Sequence, residues 1–103
     1  MQDSYPEIRE LIELLIEKGF KLIGYEDPDA DVTLVKADID TIVEYVQGVE
    51  EAWVELDLNG KYSGLYFVTG NEPGVALNDY TYNETNGPII EQCSEEIYNK
   101  YNK

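Results

Sequence analysis

"AWVELDLNGKYSGLYFV", residues 52–68, decides the fold. Apolar and polar residues alternate on both sides of Asn59-Gly60, and a period of two marks a half-buried strand. An Asn-Gly pair between two such runs closes a two-residue hairpin, because both residues accept the positive φ that the turn requires. So short a loop also sets the register. Leu58 then faces Lys61, Leu56 faces Ser63, Val54 faces Leu65 and Ala52 faces Phe67, which builds one apolar face. The other face carries Trp53 opposite Tyr66, together with Glu51, Glu55, Asp57 and Tyr62. Aromatic cross-strand pairs are ordinary sheet residues that a helix can cover. Trp and Tyr are also the residues of interface hot spots. Acids are depleted at the centre of ordinary interfaces, so carboxylates around such a pair call for a cationic partner. Trp53, Glu55 and Tyr66 are therefore candidate partner-binding residues.

A third strand is expected downstream, in "VALNDYTY" (75–82) after the loop "GNEPG". A symmetric loop places Tyr80 opposite Gly64 and Tyr82 beside Tyr62. Upstream, "FKLIGYE" (20–26) and "DVTLVKA" (31–37) are short-strand candidates, the second favoured by its β-branched residues. Three segments have helical spacing. "SYPEIRELIELLIEKG" (4–19) has Ser4 and Glu7 as a capping box, Pro6 in the first turn, and Ile8, Leu11, Ile12 and Leu15 as its buried stripe. "DIDTIVEYVQG" (38–48) is capped by Asp38, buries Ile39, Ile42, Val43 and Val46, and stops at Gly48. "NGPIIEQCSEEIYNKY" (86–101) starts near Pro88 and turns Ile89, Ile90, Cys93 and Ile97 inward. The expected fold is a single α+β domain over residues 1–103: a three-stranded antiparallel meander, with room for one extra short strand, packed with about three helices.

Charge narrows the function. The chain has 22 acidic and 7 basic residues, a formal net charge of -15. Self-repulsion at that density opposes compaction. High charge serves solubility or a high-salt cytoplasm, but it argues against direct contact with nucleic acid or anionic lipid, which Lys and Arg hold. No basic stretch runs into an apolar core at the N-terminus and no apolar run approaches a membrane span. The single cysteine, Cys93, fits a reducing compartment. A cytosolic protein without a membrane partner is expected.

Catalytic signatures are absent. There is no histidine, which removes the commonest general base and zinc ligand, and "GKYSG" lacks the spacing of a phosphate loop. We expect a protein that is not an enzyme and takes no cofactor. The carboxylates are unevenly placed. Glu7, Glu10, Glu13 and Glu17 form a row along the first helix, where neighbours three or four apart lie about 5–6 Å apart. Asp27, Asp29 and Asp31 follow in an acidic turn. Read as a calcium loop, this turn has Asp27, Asp29, Asp31 and Asp38 at the ligand positions, but Val32 stands where a glycine is needed and Asp38 is better used as a helix cap. The turn then presents charge instead of enclosing a metal. Phosphates recur every ~3.4 Å along one DNA strand, so the helix row and the turn together have the sign and coarse spacing of a phosphate track. A solvated helix face gives the same pattern.

In its small size, acidity, missing catalytic residues and mixed helix-and-meander pattern, the chain resembles the anti-defence proteins of phages and mobile elements, among them DNA-mimicking anti-CRISPR and anti-restriction proteins. "GN" followed by "NDYTYN" (70–83) is also similar to a pattern in small bacterial and phage proteins. The class implies a non-enzymatic inhibitor that binds a basic nucleic-acid-processing protein, such as a CRISPR nuclease or restriction enzyme, inside a bacterial host. Its expected surface comprises Glu7, Glu10, Glu13, Glu17, Asp27, Asp29 and Asp31 with Trp53, Glu55 and Tyr66. The alternatives are an immunity protein for a nuclease toxin and a calcium-responsive binding module.

Overall fold

The computed structural model describes residues 5–27, 32–35, 38–69, 77–81 and 83–102, with the backbone alone for Asp27 and 32–35. In chain order the elements are α1 (Pro6–Glu17), β1 (Lys21–Asp27), β2 (Val32–Val35), α2 (Ile39–Gln47), β3 (Glu51–Leu58), β4 (Lys61–Val68), β5 (Leu77–Tyr80) and α3 (Gly87–Tyr101). The fold is α+β. The sheet has five strands in the order β2-β1-β3-β4-β5, all antiparallel. Both upstream strand candidates thus join the meander, by pairing β1 along the free edge of β3. That pairing spans the whole of α2 and has no local signal in the sequence.

The β3–β4 hairpin has the register that its turn dictates, from Leu58 opposite Lys61 to Trp53 opposite Tyr66 and Ala52 opposite Phe67. Asn59 and Gly60 have φ of 52° and 86°, the left-handed pair of a type I′ turn. Burial in β3 alternates strictly, with Ala52, Val54, Leu56 and Leu58 inward.

The neighbouring strands depart from simple alternation. Leu77 lies opposite Phe67, in the register that places Tyr80 opposite Gly64, but the register then shifts, so that Asp79 faces Tyr66 and Tyr80 faces Leu65. The expected pairing of Tyr80 with Gly64 is therefore corrected: Asn78 is an extra residue, a β-bulge that moves every later side chain to the opposite face. Tyr80 consequently packs against the core. A second shift lies in β1 between Leu22 and Gly24. It places Tyr25 opposite Val54 in the core, where its ring meets Tyr45 at 4.3 Å between centroids, and puts Glu26 opposite Trp53. Tyr82 lies outside the described residues.

All three helices cover one face of the sheet. Ile8, Ile12 and Leu15 of α1, Ile42 and Val43 of α2 and Ile90 of α3 are fully buried in one cluster with Val54, Leu56 and Leu65. α1 begins at Pro6 with Tyr5 as its N-cap residue and no side-chain capping bond; the Tyr5 amide donates to Gln47 Oε1 at 2.9 Å, tying α1 to α2. Ser4 lies outside the described residues, but the capping box read from Ser4 and Glu7 is corrected: with Tyr5 at the N-cap, Glu7 is the second residue of the helix and not the third. Gly19 follows α1 with φ of 110°, as a helix-ending glycine should. Arg9 pairs with Asp40 on α2 at 2.5 Å. The start of α3 is held by two asparagines. Asn83 Oδ1 accepts from the amides of Thr85 and Asn86, and the buried Asn86 side chain donates to Lys61 O at 2.9 Å and Ser63 Oγ at 2.8 Å.

Asp38 caps α2 as the sequence implies, its Oδ1 accepting from the Thr41 amide at 2.8 Å. Hydrogen bonds from Thr41, first the backbone amide and then the side chain, hold the carboxyl below its ordinary range. A carboxyl whose folded pKa is depressed stabilises the fold above its unfolded pKa, and that contribution is lost as pH falls through the folded pKa. Asp38→Ala should therefore lower the melting temperature at neutral pH, with the gap from wild type closing in acid. Paired thermal melts across pH measure it, and a gap that persists at low pH would refute the cap as its source.

Candidate protein-binding face

The helices leave the other side of the sheet open, and two strands at its centre put aromatic and acidic side chains there. Trp53 and Tyr66 are opposed across β3 and β4, their rings 4.9 Å apart and tilted by 34°. Both are half-buried, on the side away from Val54, Leu56 and Leu65. Tyr62, one of the exposed large side chains at 48%, donates from its hydroxyl to Glu55 Oε1 at 3.4 Å. The Tyr66 hydroxyl donates to Glu51 Oε2. Each tyrosine is thus tied to a carboxylate of the neighbouring strand.

Gly64 fits these rings together. A Cβ there would lie 3.0 Å from Trp53 Cε3, 3.3 Å from Trp53 Cζ3 and 3.0 Å from the Tyr62 hydroxyl. The six-membered ring of the indole therefore lies across the glycine, in space that any other residue would fill. Glycine inside a strand is the usual mark of such a close approach.

Acids ring this centre. On β3, Glu51 and Glu55 flank Trp53 two residues to either side, and Asp57 lies beyond. On β1, Glu26 is directly opposite Trp53; on β5, Asp79 is directly opposite Tyr66. The two bulges are the reason: each shifts its strand by one residue and so brings a carboxylate to the aromatic pair. Lys21 lies opposite Asp57 and sets one cation among them. The field is felt at Tyr62, whose phenol is pushed above its usual pKa by burial first, then by Glu55 through charge and hydrogen bond, and by Glu26.

The carboxylates expected on α1 are arranged differently. Glu7 is 5% exposed, since it lies one turn before buried Leu11 and α1 packs against α3 as well as the sheet. That second neighbour widens the buried arc beyond the stripe that apolar residues alone reveal. Glu7 Oε1 and Glu10 Oε2 are buried without a hydrogen-bond partner. Glu10 Oε1 pairs with Lys100 at 2.8 Å. Tyr101 lies against the same pair, its phenol pushed up to about 12 by burial, then by the Glu10 hydrogen bond and charge, and by Glu7. Glu13 and Glu17 are exposed and border a shallow groove between α1 and α3 of about 260 Å³. They lie on the helical side, with the sheet between them and the aromatic face. Asp27 ends β1; Asp29 and Asp31 lie outside the described residues. The structure thus brings Trp53, Glu55 and Tyr66 together and separates them from the α1 row.

Sequence reasoning missed Gly64, Glu26 and Asp79 as parts of this face. Gly64 had a signal, a lone glycine in a strand between two tyrosines. Glu26 and Asp79 had none, since both depend on bulges. Among the described residues, no group of three or more His, Cys, Asp or Glu is placed to hold a metal ion, and no helix is long and apolar enough to cross a membrane. The chain matches no family model, no curated protein and no solved structure among those compared with it.

Proposed function

We propose that the protein is a non-enzymatic inhibitor that binds a basic nucleic-acid-processing protein, such as a CRISPR nuclease or a restriction enzyme, in the cytoplasm of a bacterial host. The binding surface is the open face of the sheet, and inhibition is by occupation of a groove that nucleic acid would otherwise fill. One observation carries this reading: in a chain of net charge -15, the partly buried Trp53–Tyr66 pair is surrounded by Glu26, Glu51, Glu55, Asp57 and Asp79. An aromatic centre supplies the apolar anchor of an interface, and a ring of acids both selects a cationic partner and accelerates its encounter. Alternate residues of a strand lie about 6.6–6.8 Å apart, close to two phosphate steps along one DNA strand. The face therefore presents charge of the right sign at a compatible coarse spacing.

The test is competition. Partners captured from the host with the wild-type chain should release duplex DNA or RNA as the protein is added, and the effect should weaken with salt as screening shortens. Reversing Glu51, Glu55 and Asp57 together to Lys should lower affinity on the order of 100-fold, whereas reversing Glu13 and Glu17 should change it less than about threefold. Glu13 and Glu17 are exposed and contribute little to folding, while the sheet variant also loses the acceptors of the Tyr66 and Tyr62 hydroxyls, so its fold is verified by circular dichroism before affinities are compared. A partner that holds nucleic acid and this protein together without mutual weakening would refute the reading, as would a larger loss from the α1 pair than from the sheet.

A further inference from the structure

The open face is built to take one particular side chain. We infer that Trp53 and its carboxylate neighbours form a docking site for an arginine of the partner protein, with the guanidinium stacked on the indole and paired to Glu51 or Glu55. This inference rests on the proposed role of the sheet face and names the chemistry that the face recognises.

The local geometry argues for it. Trp53 has four same-face neighbours on the sheet: Glu51 and Glu55 along its own strand, Glu26 across β1 and Tyr66 across β4. Carboxylates thus bound the indole on every side but that of Tyr66. Two of them are held in place: Glu51 accepts from the Tyr66 hydroxyl and Glu55 from the Tyr62 hydroxyl. A phenol takes one acceptor site of a carboxylate that has about four, so each remains able to accept from an incoming donor. The indole is likewise fixed. It is seated across Gly64 and against Tyr66 without being fully buried, so part of its aromatic surface is left for a ligand.

A flat π surface beside oriented carboxylates suits a planar, forked cation. Guanidinium stacks on aromatic faces and binds a carboxylate through two parallel N–H bonds, whereas an ammonium is a compact, strongly hydrated point charge that does neither as well. Tryptophan is the best of the aromatic residues for cation–π attraction. A second copy of this chain is a poor occupant, because it would bring another net charge of -15 against the same acids.

The single tryptophan is a built-in reporter. Wild-type protein should be titrated with a short arginine-rich peptide and a lysine-rich peptide of equal length and charge, following Trp53 fluorescence and calorimetric affinity. The arginine peptide should bind about fivefold or more tightly and change Trp53 emission more. Trp53→Leu should bring the two peptides to within about twofold of each other by calorimetry while retaining charge-driven binding. Gly64→Ala, which crowds the indole and the Tyr62 hydroxyl, should shrink the preference in the same direction and serves if Trp53→Leu does not fold. Glu51→Gln with Glu55→Gln should weaken both peptides and the arginine peptide more. Equal affinities for the two peptides in wild type, or a preference that survives in Trp53→Leu or, where that variant does not fold, in Gly64→Ala, would overturn the arginine site. Nucleic-acid competition with the host partner is read separately: it can succeed with no arginine preference, and an arginine preference can stand where competition fails.

Discussion

Phe67→Ala should cost about 3–5 kcal/mol, the range for removing a buried phenyl ring. A domain of 103 residues has a total stability of roughly 5–15 kcal/mol, so this one change should take away at least about a fifth of it. The high figure follows from the surroundings. Phe67 is 1% exposed and lies opposite Ala52 on β3 and Leu77 on β5. Ala52 has no side chain long enough to move into the void, and its Cβ is fixed to a central strand, so the cavity cannot collapse. Urea denaturation should show a lower midpoint with little change in slope, the sign of lost stability without a change in the surface exposed. Val68→Ala, on the other face and half-exposed, should cost no more than about 1 kcal/mol. Equal losses at Phe67 and Val68 would mean that the assignment of faces is wrong.

Asn86→Ala should cost about 1–3 kcal/mol, the range for a buried group left without a partner; two acceptors lose their donor, and the loss is offset in part because Asn86 Oδ1 is itself buried without a partner. Asn86 and Ser63 are both fully buried, and the Asn86 amide serves Ser63 Oγ and the Lys61 carbonyl together. Alanine would leave both without that donor at the point where α3 meets β4. Part of the penalty belongs to the hydroxyl, so Asn86→Ala should cost less in a Ser63→Ala background. A double-mutant cycle should give a coupling of at least 0.5 kcal/mol, within the usual range for side chains in one network. Strict additivity would show that the contact does not hold the helix to the sheet.

What could be read in the sequence follows the distance over which each feature is determined. The β3–β4 register was legible to the residue because it depends on two adjacent positions, Asn59 and Gly60, and on alternation that continues directly from them. Caps and stops were legible for the same reason at Asp38, Pro6 and Gly19. The failures lie where a side chain's position depends on something distant. Glu7 reads as solvent-facing on the periodicity of α1 alone and is buried because α3, some eighty residues later, crosses that side. Tyr80 was displaced by one extra residue, Asn78, and nothing in the spacing of "VALNDYTY" marks it. The recruitment of β1 to β3 is likewise a long-range pairing, with a shift at Ile23 of its own. The candidate site divides in the same way: its centre, Trp53 with Tyr66, belongs to the hairpin and was foreseeable, while the acids at either side, Glu26 and Asp79, arrive on strands whose registers were not.

Strict alternation along β3 has an evolutionary consequence. Ala52, Val54, Leu56 and Leu58 serve the interior, and Glu51, Trp53, Glu55 and Asp57 serve the outside. On the proposed role of this face, a lineage under selection for binding can therefore rewrite the odd-numbered set while the even-numbered set stays under purifying selection, and each kind of mutation meets a different filter. Gly64 is where this freedom ends. It is buried, it faces outward, and it fixes the height at which the indole lies, so a substitution there disturbs the packing of the strand and the seat of the indole at once. Diversity among descendants of this chain should accordingly gather at 51, 55 and 57 and be scarce at 64.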